Sequence, residues 1–227
     1  MLPLRDNVPT RHRPWVTYGL IVANVLVWVL YQVPDLDGSV RELAYHPCEV
    51  NDSCAVVGQD WLVTAFTSMF LHAGLLHLGG NMLFLWIFGN NVEDAMGHVR
   101  YLVFYVLAGL TAVALQTTFT LMTASDVGAQ IPNLGASGAI SGVLGAYLIL
   151  LPHARILTLI AFFLLRELPA WLMLGIYFAF QLYQANFQLE HPPEEGGVAV
   201  FAHLGGALFG LLAVFLFRKR KPLRPAY

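Results

Sequence analysis

Apolar and polar positions alternate on a long scale in this chain: six apolar runs are separated by polar breaks. The runs occupy residues 15–32, 75–88, 101–122, 135–151, 168–186 and 198–217. A helix needs roughly 20 residues, at about 1.5 Å each, to cross a hydrocarbon core of about 30 Å. Five runs approach that length, and the run at 75–88 does so with the milder residues at both its ends. A shorter run, 61–71, is amphipathic and reads as a helix lying in the interface. Residues 34–60 form a long polar loop, 89–100 a polar connection and 123–134 a linker without basic residues. Residues 152–167 place Arg155 and Arg166 around an apolar stretch and read as a re-entrant or surface-lying segment. His191-Pro192-Pro193-Glu194-Glu195 is an acidic break. The pattern predicts an all-α membrane protein: a bundle of six transmembrane helices with a long outer loop after the first. Around a membrane domain at 15–217 lie a basic arm at 1–14 and a basic tail at 218–227.

Composition agrees. Hydrophobic residues make up 57% of the 227 positions and charged residues 11%; a soluble domain carries about 25% charged residues. The first apolar run follows Arg5, Arg11 and Arg13 with no small-residue cleavage site behind it, so it reads as a retained span rather than a signal peptide. Net charge is close to zero, but the charges are segregated. Arg5, Arg11, Arg13, Arg100, Arg155, Arg166 and the basic residues of the tail (Arg218, Lys219, Arg220, Lys221 and Arg224) fall on one side of a six-span topology. Arg41 alone falls on the other, where most acids lie. The positive-inside rule makes the first side cytoplasmic. The loop holding Cys48 and Cys54 then faces outward, where an oxidising compartment would permit a disulfide. A zinc site is disfavoured because two further ligands are not nearby, and nothing in the pattern calls for a cofactor.

Ionisable residues inside spans are expensive and usually functional. The spans hold no Asp or Glu except Asp60 and Glu167 at edges, but they hold His72, His77 and His203. Asn81 follows His77 by four residues, on the same helical face. Ser137 sits between small residues at the head of the fourth span. The second, fourth and sixth spans all enter from outside, so His77, Ser137 and His203 share one layer about a turn below the outer surface. Gly138, Gly142 and Gly145 run beside Ser137, and Gly206 and Gly210 share the face of His203. Two glycine-lined helices can pack backbone to backbone, which would bring Ser137 to His203. Glycines serving packing alone, with a histidine bonded to a carbonyl, are the plainer alternative. A serine hydroxyl needs a base within hydrogen-bond reach. With no carboxylate in the layer the arrangement would be a dyad. Asn81, His77 and the free N–H groups at the helix start would be donors to an oxyanion.

At these residues the chain resembles the rhomboid family of intramembrane serine proteases. Gly135-Ala136-Ser137-Gly138 looks like the family's nucleophile motif. The stretch from His72 through His77 to Asn81 looks like its second-helix motif, and Gly197 through His203 to Gly206 its sixth-helix motif. Glu93-Asp94-Ala95-Met96-Gly97 resembles its polar turn, and Glu167-Leu168-Pro169-Ala170-Trp171 reads like bacterial members. The resemblance implies a rhomboid-like bundle in a bacterial plasma membrane. It implies Ser137 as nucleophile, His203 as general base, and His77 and Asn81 as oxyanion donors. The implied partners are single-span membrane proteins and the bilayer, not nucleic acid, with cleavage near the outer face. The fifth span and the loop from Glu190 to Gly197 are the candidate gate. Other classes fit less well. A silent rhomboid-like client-binding protein would usually lack the serine or the histidine. A proton-coupled transporter generally carries intramembrane carboxylates. A metalloprotease of the His-Glu-x-x-His type lacks its motif.

Overall fold

The computed structural model describes residues 1–51, 60–161, 163–192 and 197–223. Helix α1 (Trp15–Val27) runs on through a π-helical turn, Trp28–Gln32. Between α1 and the next long helix, in the loop expected to face outward, lie α2 (Leu36–Leu43), a 3-10 turn (Pro47–Asn51) and α3 (Trp61–Thr67), which ends in a second 3-10 turn at Ser68–Phe70. Next come α4 (Leu75–Phe84), a π-helical turn (Leu85–Gly89) and α5 (Asn90–Met96), forming one continuous rod. After α6 (His98–Thr123) and the short α7 (Asp126–Ala129) come α8 (Ser137–Leu150), α9 (Ala170–Glu190) and α10 (Val200–Phe217).

The chain is an integral membrane protein built as a helical bundle. Trp15–Gln32, His98–Thr123 and Val200–Phe217 are each long and apolar enough to cross a membrane. The rod Leu75–Met96 passes the same test together with Trp61–Phe70, from which it is bent by 82°. The polar connection expected at 89–100 is largely helical: α5 continues the rod, and Gly97 ends it at φ +78°, a backbone conformation that favours glycine.

Helix α8 is the axis of the bundle. Every residue from Gly138 to Tyr147 is buried, although the helix has no polar face. Such all-round apolarity marks a helix enclosed by others. Its neighbours α6 and α10 touch it through small residues. A Cβ on Gly142 would meet Ala108, and a Cβ on Gly145 would stand 2.5 Å from the Ala207 carbonyl oxygen. Large side chains on the outer faces of α1, α9 and α10, such as Leu30, Phe180, Tyr183, Leu212 and Leu216, remain exposed, as lipid-facing residues must.

One end of the bundle departs from the expected pattern. The stretch at 152–167, expected as a re-entrant or surface-lying segment, forms a hairpin of β2 (Arg155–Ile160) and β3 (Leu164–Pro169), with most of β3 exposed. The arm adds a third antiparallel strand, β1 (Leu2–Asp6), against β2. Pairing partners 150 residues apart leave no local signal in either segment. Asp6 fixes the strand by accepting hydrogen bonds from Tyr147 Oη at 2.6 Å and Asn91 Nδ2 at 2.7 Å.

The turn around α5 gathers both chain ends. Buried Glu93 accepts from the Val16 and Thr17 amides and the Thr17 hydroxyl, at 3.0, 2.8 and 2.7 Å, and thereby caps α1. It also pairs with His98 Nδ1. Asp94 accepts from the amides of Arg11 and His12 and from the Arg11 guanidinium. The Ala95 carbonyl accepts from the Lys219 and Arg220 amides. Arm and tail therefore lie at the same end. Cys48 is buried in the loop after α1; the expected Cys48–Cys54 disulfide involves Cys54 and so lies outside the described residues.

Candidate active site

Three features fix where α8 begins. Gly135 adopts φ +124°, which a side chain would strain, and donates its amide to the Ser68 carbonyl at 2.9 Å. Two residues earlier, Asn133 exchanges both backbone hydrogen bonds with Tyr45 of the outer loop, at 3.2 and 2.7 Å. The Tyr45 hydroxyl in turn accepts from Thr117 on α6 at 2.9 Å. The outer loop thus braces the chain just before Ser137, the first residue of α8. Among the described residues no side chain caps that helix start, so its first amides lack intrahelical partners.

Helix α10 approaches from the other side. Glycine makes this possible: a Cβ on Gly206 would overlap the Gly138 carbonyl, and one on Gly210 the Gly142 carbonyl. The backbones are in direct contact, as a small-residue seam allows. The Ala202 amide, one of the unsatisfied donors at the start of α10, is taken up by Gln116 Oε1 of α6 at 3.1 Å. The next residue is His203, and its Nε2 lies 2.8 Å from Ser137 Oγ. Its Nδ1 lies 3.1 Å from Oε1 of Gln181, a buried side chain on α9.

The α4 residues face the same space. His77 accepts the Ala73 amide on Nδ1 at 3.3 Å. An Nδ1 that accepts leaves the proton on Nε2. That Nε2 stands 2.9 Å from the point a Gly135 Cβ would occupy, and Ser137 Oγ stands 3.6 Å from the same point. Asn81, a turn further along α4, is buried with Nδ2 unpaired among the described residues. A buried donor without a partner is uncommon and calls for an explanation. His72 sits outside this group. Its ring packs edge-on against His77, while its backbone amide and carbonyl are both held by the Gln32 side chain, at 2.8 and 2.9 Å. It serves as the joint between α1 and α4.

The structure therefore brings Ser137 and His203 into contact and sets His77 beside them, with Asn81 one turn along the same helix. Among the described residues no ring stacks on His203: Phe201 stacks on Phe119, and Tyr101 and Tyr105 pack deeper in the core. Gln181 escaped the sequence reading. Its signal was a glutamine inside an apolar helix, four residues from Tyr177. The candidate gate loop is only partly within view, because 193–196 lie outside the described residues.

A bundle of apolar helices in which a serine hydroxyl on one helix meets an imidazole on another defines a helical membrane protein. The chain belongs to the rhomboid family: the Rhomboid domain model matches residues 59–220. It is 29% identical over 214 residues to the presenilin-associated rhomboid-like protein, mitochondrial, of Homo sapiens, covering 90% of this chain and 50% of that one. Rhomboid protein 1, mitochondrial, of Saccharomyces cerevisiae is 29% identical over 203 residues, covering 88% and 53%. Rhomboid protease GluP of Bacillus subtilis is 34% identical over 136 residues, covering 60% and 24%. The chain spans about half the length of the mitochondrial relatives it matches. The family includes proteases, as the name of the Bacillus relative states.

Proposed function

We propose that this chain is an intramembrane serine endopeptidase that cuts single-span membrane proteins near the outer face of the bilayer. The observation that carries the proposal is the 2.8 Å contact between Ser137 Oγ and His203 Nε2. In this reading His203 takes the hydroxyl proton as Ser137 Oγ attacks a peptide carbonyl. The oxyanion that forms is met by His77 Nε2–H, the Asn81 amide and the first amides of α8, all fixed before the reaction begins. His203 then hands its proton to the departing amine, leaving an acyl-enzyme, and water releases it.

Depth supports the same reading. We place α1, the α4–α5 rod, α6, α8, α9 and α10 as six crossings with both ends cytoplasmic, in a bacterial plasma membrane. Helix α8 has 14 residues, so it is about 21 Å long against a core of about 30 Å. With its C-terminus at the inner boundary, Ser137 sits roughly 9 Å below the outer one. Water reaches that depth from outside. A substrate helix must locally unwind there to free a carbonyl, so Gly or Pro near the cut favours cleavage. Helix α9, with its exposed outer face, is the candidate entry side.

The test is labelling of purified protein with a fluorophosphonate probe, beside incubation with single-span substrates and mass spectrometry of the cut. Wild type labels and cleaves while Ser137→Ala does neither. Equal labelling of both would end the proposal, and client capture by wild type without cleavage would point to the silent binding protein.

A further inference from the structure

We infer that Gln181 is the positioning residue of the Ser137–His203 pair, a third member supplied by α9 in place of an acid. The inference rests on the proteolytic reading above. A dyad has an unresolved weakness: an imidazole with a free Nδ1 can carry its proton on either nitrogen, and only one tautomer leaves Nε2 as an acceptor for the serine. In this site the choice is made by Gln181 Oε1, 3.1 Å from His203 Nδ1. An amide oxygen only accepts, so Nδ1 must donate to it and Nε2 is left with its lone pair toward Ser137.

The orientation of the amide follows from the serine. Ser137 Oγ makes no other hydrogen bond to the described residues than the one to His203 Nε2. With the amide reversed, its NH2 would donate to Nδ1, the ring proton would sit on Nε2, and the serine proton would be left with no acceptor. With Oε1 toward the imidazole, Nδ1, Nε2 and Ser137 Oγ are all bonded. The contacts run from Gln181 on α9 through His203 on α10 to Ser137 on α8.

Burial argues that the glutamine was placed, not tolerated. Its neighbours Phe180 and Leu182 are more than half exposed, whereas Gln181 is 5% exposed. Turning an amide inward costs free energy unless it is bonded. A neutral acceptor also suits this depth, because a carboxylate would add a buried charge with a large desolvation penalty. The titratable group that faces His203 from a neighbouring helix is His77 on α4; Tyr177 stands on α9 one turn before Gln181. Helices α8 and α10 contain no Asp, Glu, Lys or Arg, Arg100 stands at the far end of α6, and Glu190 ends α9 nine residues beyond Gln181. Among the described residues no other side chain bonds Nδ1.

The test is the second-order rate of fluorophosphonate labelling against pH, measured on the full chain in detergent for wild type, S137A, Q181L and Q181E. Q181L is expected to label at the wild-type end point but at least tenfold more slowly at the plateau. Q181E keeps an acceptor at the same reach. It is expected to recover most of the plateau rate and to move the acidic limb of the profile to higher pH, because a carboxylate favours imidazolium. A merely structural role predicts a different result: both variants slowed alike, with the acidic limb unmoved. That result overturns the inference, as does Q181L labelling at the wild-type rate while S137A stays unlabelled. Equal labelling of wild type and S137A removes the proteolytic reading itself. Where Q181L folds poorly, the direction of the Q181E limb decides alone.

Discussion

Gly206→Ala isolates the helix contact on which the site depends. The added methyl would stand 2.9 Å from the Gly138 carbonyl carbon, with that carbonyl's oxygen closer still. Carbon atoms settle at about 3.5–4.0 Å, so α10 must withdraw from α8 by on the order of 1 Å. The obstacle is main chain on both sides, with no flexible side-chain end to move away. His203 lies one turn from Gly206 on the same face, so most of the displacement reaches the Ser137–His203 contact. A 2.8 Å hydrogen bond opened by that much is no longer a hydrogen bond. Misplacement by 1 Å costs about 100-fold in rate, whereas overpacking costs about 1–3 kcal/mol in stability. The expectation is a folded, slightly destabilised protein that has lost roughly 99% of its labelling rate by those figures. Gly175→Ala on α9 is the control, since a Cβ there meets nothing within 4 Å; it should label normally. Thermal unfolding in detergent and probe-labelling kinetics together measure both effects. Wild-type labelling by Gly206→Ala would refute the claim that glycine-mediated contact sets the dyad.

Other consequences can be measured separately. Asp6 has its carboxyl raised from 3.8 to about 6, chiefly by burial and against the opposing effect of the Tyr147 hydrogen bond. The folded state therefore holds a proton that the unfolded state has released, and the stability linked to Asp6 is fully present below about pH 4 and lost as pH rises through about 6. Hydrogen exchange of the β1–β2 amides should speed up across that window, and Asp6→Asn should flatten the response; an unchanged slope would contradict it. Glu93→Ala strands the Val16 and Thr17 amides at the start of α1. It should cost about 2–3 kcal/mol, in the range for leaving buried donors unsatisfied, with labelling intact below the lowered unfolding temperature; an unshifted transition would show that water replaces the carboxylate. Asn81→Ala removes a donor without touching Ser137 or His203. If Asn81 meets the oxyanion, peptide cleavage should fall about 100-fold while the protein remains folded, and full cleavage would dismiss that role.

Much of the site could be read from the one-dimensional pattern because a membrane span is a simple object. Run length gave the helices, and their order gave the expectation that His77, Ser137 and His203 lie at one level. The glycines at 138, 142, 206 and 210 announced which faces could meet, since only small residues let backbones touch. Local patterning had no hold on three other features. The sheet of β1, β2 and β3 joins segments at opposite ends of the chain, so neither the arm nor the hairpin reveals its partner. The stretch 89–96 reads as a polar connection but continues the α4 rod as α5, with Glu93 and Asp94 buried because they cap α1 and hold the arm. Gln181 reads as an ordinary polar residue in the fifth run until α9 is set beside α10.

What the amino-acid order determined by itself was the set of buried apolar helices, the family they belong to, and the few polar side chains costly enough to need a purpose. Those follow from local rules of span length, helical period and the price of polarity in hydrocarbon. What only tertiary packing decided was which nitrogen of each histidine faces the gap, which donors stay unpaired, and which groups brace the helix starts. These depend on hydrogen bonds that act over about 3 Å between residues far apart in the chain, and no local pattern encodes so short a reach across so long a separation.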